Sequence, residues 1–150
     1  MNPALKAPLH GSSFPLESLS LTPGVWQAMR RQVSRLAPLE ACGLLAGMNW
    51  RAELRIGVRN ADQSPVRFHM EPLEQWRAFQ RIESAGLELL GIYHSHPDGP
   101  DRPSPTDIAE AMYPVVQIIW YRLEGKWHST GFRIEAGEVR EVDLELLRNE

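Results

Sequence analysis

His94 and His96 stand two residues apart at the end of an apolar run that contains Leu87, Leu89, Leu90, Ile92 and Tyr93. If that run is a strand, alternate side chains leave one face and both imidazoles can reach a single ion. A catalytic zinc typically takes three nitrogen or oxygen ligands and keeps a further position open. Asp107 can complete such a set, because it follows a loop, residues 97–103, stiffened by three prolines. A stiff loop lowers the entropy cost of holding a carboxylate in place. Both features have a plainer reading. His-x-His pairs occur in strands that bind no metal, and Ser104-Pro105-Thr106-Asp107 is close to a capping box that starts a helix. The readings can coexist, with Ser104 capping the helix while Asp107 turns to the metal.

Other residues offer weaker chemistry. Cys42 could act as a nucleophile with His94 or His96 as its base, but it lies in an apolar run where small cysteines usually pack inertly. By itself Glu40 reads as a solvated acid at a helix-to-strand turn. Asp98 and Asp101 read as solvated loop residues, His69 and His128 as lone structural histidines, and Asn60 as a loop anchor. Trp26, Trp76, Trp120 and Trp127 fall at periodic positions expected in a core or an interface. There is no Gly-rich phosphate loop and no His-Glu-x-x-His helix.

The elements that must position these residues follow from pattern. Leu19 and Leu21 suggest a short strand. Thr22-Pro23 starts a helix that runs to about Ala37 through Val25, Met29, Val33 and Leu36. The small, apolar run from Ala41 to Gly47 suits a buried strand with another backbone close against it. A second strand follows over Leu54 to Arg59, then a loop over Asn60 to Val66. Glu71-Pro72 opens a helix with Leu73, Trp76, Phe79 and Ile82 or Gln80 on successive turns, closed by Gly86. After the Leu87–His94 strand, a short helix from Ser104 ends near Pro114. Strands over Val115 to Leu123, Trp127 to Glu135 and Val139 to Leu144 complete an α/β chain with a mixed or largely antiparallel sheet and three helices.

The chain has 150 residues, 43% of them hydrophobic, with a formal charge of -3. That is the size of one domain. Residues 1–17, with His10 among them, read as a loose leader and 18–150 as the folded domain. Arg30, Arg31 and Arg35 read as a solvated helix face, so no nucleic-acid or membrane partner is expected. A single cysteine excludes an internal disulfide, no apolar run approaches the ~20 residues of a membrane span, and a cytoplasmic protein is expected.

The pattern His94-Ser95-His96-Pro97, seven residues, then Ser104-x-x-Asp107 resembles the signature of the JAMM (MPN-plus) metallopeptidases. Glu40-Ala41-Cys42-Gly43-Leu44-Leu45-Ala46-Gly47 resembles that family's second motif. Asn60-Ala61 through Ser64-Pro65 and the Glu71-Pro72 helix start resemble its bacterial members. The resemblance implies a cytidine-deaminase-like three-layer fold, a mixed curved sheet flanked by helices. It implies zinc, one ion with water as the fourth ligand, held by His94, His96 and Asp107. Glu40 would be the general acid/base and Ser104 the hydrogen-bonding partner of the water or the developing oxyanion. It implies hydrolysis of a peptide or isopeptide bond after the Gly-Gly tail of a ubiquitin-like or sulfur-carrier protein, with a homodimer possible. The alternatives are a cysteine hydrolase using Cys42 and a non-catalytic module that binds a carrier protein.

Overall fold

The computed structural model describes residues Ser18–Arg148; the expected leader, His10 and the last two residues lie outside the described residues. The elements in chain order are β1 (Ser18–Leu21), α1 (Pro23–Leu36), β2 (Cys42–Met48), β3 (Arg51–Val58), α2 (Pro72–Ser84), β4 (Glu88–His96), α3 (Pro105–Glu110), β5 (Val116–Leu123), β6 (Lys126–Glu135) and β7 (Glu138–Leu146). Every expected strand and helix forms, with ends displaced by up to four residues, the most at α3, which stops at Glu110 rather than near Pro114.

Each helix begins as its sequence dictates. Thr22 accepts from Val25 N at the start of α1, Glu71 accepts from Leu73 N and Glu74 N at α2, and each cap is followed by proline. The apolar stripe of α1 buries Val25, Met29 and Val33. On α2 the buried face is Ala78, Phe79 and Ile82, while Leu73 and Trp76 are exposed. Trp76, at 54% exposure, is therefore not a core residue. A spacing of three drifts about 60° around a helix per step, so residues 73 and 76 leave the face that 79 and 82 occupy.

The mixed curved sheet bends until it closes, in the order β1-β3-β2-β4-β5-β6-β7 and back to β1. Pairs β1–β3, β1–β7 and β4–β5 are parallel and the rest antiparallel. Neighbouring residues on one strand face opposite sides. Leu45, Leu90 and Tyr93 join the cluster under α1 with Val25, Met29 and Trp120. Leu44 and Ile92 join the cluster under α2 with Phe79 and Ile82. Gly43 shows why the β2 run is built of small residues: a Cβ there would collide with the Tyr93 hydroxyl. The parallel step from β4 to β5 needs a crossover. That crossover carries α3 back over the end of β4.

Candidate functional site

His94 and His96 end β4 on the α2 side, buried at 2% and 4% exposure. Ser95 between them points the other way, as alternation requires. Its Oγ accepts from Ala41 N at 2.8 Å, and its own N–H donates to the Ala41 carbonyl at 3.0 Å. Cys42 pairs with His94 in the ladder. This pairing brings Glu40, just before β2, alongside the two histidines. Asn60 holds the same stretch from the other side. Its Nδ2 donates to the carbonyls of Glu40 (3.1 Å) and Arg67 (3.0 Å), and its Oδ1 accepts from Asp62 N and His69 N. The loop anchor expected at Asn60 is thus an anchor for Glu40 as well.

The sequence left Asp107 between two roles, and the geometry allows both. Asp107 N donates to Ser104 Oγ at 3.0 Å and Ser104 N donates to Asp107 Oδ2 at 2.9 Å, a complete capping box. The same Oδ2 lies 3.1 Å from His94 Nε2 and 3.1 Å from His96 Nε2, and the two Nε2 atoms are 3.0 Å apart. Tetrahedral bonds of about 2.0–2.1 Å would place ligand atoms about 3.3 Å apart, so the triangle has the dimensions of one face of a zinc coordination sphere. The ligand atoms of Glu40, His94 and His96 also lie within 4.8 Å of one another, a group that could hold a metal ion.

The three facing atoms call for a proton or a cation among them. The His96 Nδ1 donates to the Pro100 carbonyl at 2.8 Å, so neutral His96 offers its Nε2 lone pair to the centre. Gly99, at φ +79°, turns the loop that delivers that carbonyl. Two imidazole nitrogens and a carboxylate oxygen facing each other at 3 Å repel unless a proton or a cation lies among them. Burial lowers His94 and keeps it neutral. For His96 burial acts downward too, but the Asp107 hydrogen bond, the Pro100 carbonyl and Glu40 raise it. Burial would lift the Asp107 carboxyl, yet its hydrogen bonds to both histidines hold it well below the usual carboxylate range.

Glu40 is not the solvated acid its sequence context suggests. It is 3% exposed, its Oε1 has no hydrogen-bond partner, and burial, opposed by His96 and aided by Asp107, pushes its carboxyl up to about 8. Such a group exchanges a proton near neutrality. Cys42 is fully buried, donates to the Val58 carbonyl at 3.3 Å, and burial pushes its thiol up to about 12. That removes the thiolate a cysteine hydrolase needs. Asp98 and Asp101 are exposed, His128 stacks on Tyr121, and His69 sits between Asp62 (2.5 Å) and Glu110 (3.4 Å).

Sequence reasoning missed Phe68, whose ring stacks on His94 at 4.4 Å and 25°. Only the tertiary path of the 60–70 loop places it there, and no local pattern marks it. It also missed Pro100 as the partner of His96, although a carbonyl is the usual orienter of a ligating imidazole. Beside His94 and Asp107 opens a cavity of about 430 Å³ lined by Phe68, Met70, Ile92, Met112 and Tyr113 among others.

The family described as prokaryotic homologs of the JAB domain matches residues 22–142. A probable TtuB-protein conjugate cleaving protease of Thermus thermophilus is 41% identical over 98 residues, 65% of this chain and 66% of that protein. A CysO-cysteine peptidase of Mycobacterium bovis is 37% identical over 124 residues, 80% of this chain and 85% of that protein. Among solved structures, a Desulfitobacterium hafniense protein superposes with a TM-score of 0.78 at 32% identity, covering 87% of this chain and 94% of that one. A JAB1/MPN domain protein of Archaeoglobus fulgidus shares the fold, with a TM-score of 0.58 at 22% identity over 87% and 98% of the two chains. The chain therefore belongs to the prokaryotic JAB-domain family and has the JAMM/MPN fold.

Proposed function

We propose that the chain is a zinc-dependent peptidase, with His94, His96 and Asp107 as metal ligands and Glu40 as general acid/base. The observation that carries this reading is the 3.0–3.1 Å triangle of His94 Nε2, His96 Nε2 and Asp107 Oδ2, with a buried, unpartnered Glu40 oxygen beside it. When bound, zinc polarises the scissile carbonyl and lowers the pKa of a water to ~7. Glu40 takes a proton at its carboxylate and returns it to the departing amine. Its raised affinity for a proton suits both halves of that exchange. Ser104 Oγ is occupied as an acceptor by Asp107 N. Its hydroxyl proton is the donor offered to the water or the developing oxyanion.

The substrate is a peptide or isopeptide bond after the Gly-Gly tail of a ubiquitin-like sulfur-carrier protein. Relatives named for cleaving a TtuB-protein conjugate and CysO-cysteine support this class. So does the apolar cavity beside His94, which offers walls for the acyl side of the substrate. No helix among the described residues is long and apolar enough to cross a membrane. The free buried thiol suits a reducing compartment, and the protein is read as cytosolic.

The test is cleavage of a carrier–peptide fusion. Turnover should vanish with a chelator and return with zinc. Glu40→Gln should keep its zinc and lose about 10²–10⁴-fold in kcat. Activity that survives chelation, or a zinc-loaded Glu40→Gln protein at full turnover, would overturn the assignment.

A further inference from the structure

A second cavity, of about 610 Å³, runs along β3. It touches the metal triangle through none of the three ligands, and Arg35, Arg55, Arg59 and Arg81 line it. Among the described residues none of these four arginines has a carboxylate within ion-pair distance. The acid on its wall, Glu40, has its carboxylate at the histidines.

Arg55 is held in place by neutral partners. Its Nη1 donates to Gln32 Oε1 at 2.9 Å. Gln32 is buried, donates to the Cys42 carbonyl at 3.0 Å and accepts from the Tyr93 hydroxyl. Gly57 makes room for this arrangement. A Cβ there would lie 2.6 Å from Arg55 Nη1 and 3.0 Å from Gln32 Oε1. The Nε of Arg55 is buried without a hydrogen-bond partner. A guanidinium fixed this way is organised for an oxyanion before one arrives.

The backbone beside it also lacks a strand partner along part of its length. β1 pairs with β3 only at Arg51 and Ala52, whereas β3 continues to Val58 with β2 along its other side. The outer edge beyond Ala52 has no strand partner among the described residues. An open edge accepts an extended peptide. Arg55 lies on the α1 side of the sheet and Arg81 comes from α2 on the other. A strand added here would meet cations on both of its faces.

We propose that this cavity is a docking site for an acidic, extended segment of a partner protein, which adds to the β3 edge and sets its carboxylates against Arg55 and Arg81. The cavity shares one wall residue, Glu40, with the peptidase reading, but the proposed contacts at Arg55, Arg81 and the β3 edge use none of the proposed metal ligands.

Fluorescence anisotropy of the full chain with a labelled peptide rich in glutamate and valine tests it. Binding should weaken with salt. Arg55→Gln and Gly57→Val should each weaken it about tenfold or more, the second without removing a charge. Arg30→Gln, on the exposed face of α1, should leave it unchanged. Methylating alternate peptide nitrogens should abolish binding by blocking the edge pairing. Should Arg55→Gln fail to fold by circular dichroism, the exposed Arg81→Gln carries the same expectation. Equal binding of a lysine–valine peptide would overturn the proposal, as would unchanged affinity in these variants. So would full affinity of the methylated peptide, or displacement by inorganic phosphate at the peptide's own effective concentration.

Discussion

The Asp107 Oδ2 accepts the Ser104 N–H and also faces both imidazoles, and a pair of substitutions separates the cap from the proposed ligand role. Ser104→Ala removes the acceptor for Asp107 N but leaves the carboxylate. Asp107→Asn removes the charge that faces both imidazoles and weakens the return bond from Ser104 N. Loss of a cap costs about 0.5–2 kcal/mol, and both proteins should show that loss in a chelator. Asp107→Asn should lose more, because its side chain is only 12% exposed and touches two buried histidines. Zinc then discriminates. A ligand at 100 times its Kd stabilises the native state by about 2.7 kcal/mol. Wild type and Ser104→Ala should both gain that increment, and Asp107→Asn should lose most of it. Thermal unfolding in chelator and in buffered zinc reads the increment directly, with a chromophoric chelator giving the affinity. If Asp107→Asn rises with zinc as far as wild type does, the carboxylate is a cap alone and the triangle is not a ligand set.

Three further outcomes are expected. Because burial holds the Glu40 carboxyl up near 8, the native zinc-free protein keeps a proton that the unfolded chain has released, so stability should fall as pH rises from about 4.5 to about 8. Urea unfolding of the zinc-free protein across that window should show the slope, and Glu40→Gln should flatten it; a slope unchanged in the variant counts against the buried acid. Cys42→Ala should leave carrier–peptide cleavage within about twofold of wild type while costing about 1–2 kcal/mol for the emptied space, and a large loss of turnover at normal zinc content would restore the thiol as a candidate nucleophile. Asn60→Ala removes four hydrogen bonds at about 1 kcal/mol each. It should expose the amides of residues 61–71 to hydrogen exchange well before the sheet opens, and unchanged protection there would show that the loop is held by something else.

Local chemistry determined much of this protein before any coordinates. Thr22-Pro23, Glu71-Pro72 and Ser104-Pro105 start helices because each supplies an acceptor for free N–H groups followed by a preset φ. The apolar runs at Cys42–Met48 and Glu88–His96 are strands because both of their faces meet a core. His94 and His96 share a face because strands alternate. The proposed metal triangle was legible only as an option, since His-x-His and Ser-x-x-Asp each satisfy a purely local role; the resemblance of their order to a known family supplied the proposal. What the tertiary structure alone decided is distance and burial. It brought Glu40 beside residues more than fifty positions away through the Ala41–Ser95 bonds and turned a solvated-looking acid into a buried one. It set Phe68 on His94, curled the sheet into closure through the four residues of β1, and, among the described residues, left β3 without a strand partner on that edge beyond Ala52. Periodicity reports which side chains share a face, but a burial energy or a proton affinity depends on what folds against that face, and that partner comes from elsewhere in the chain.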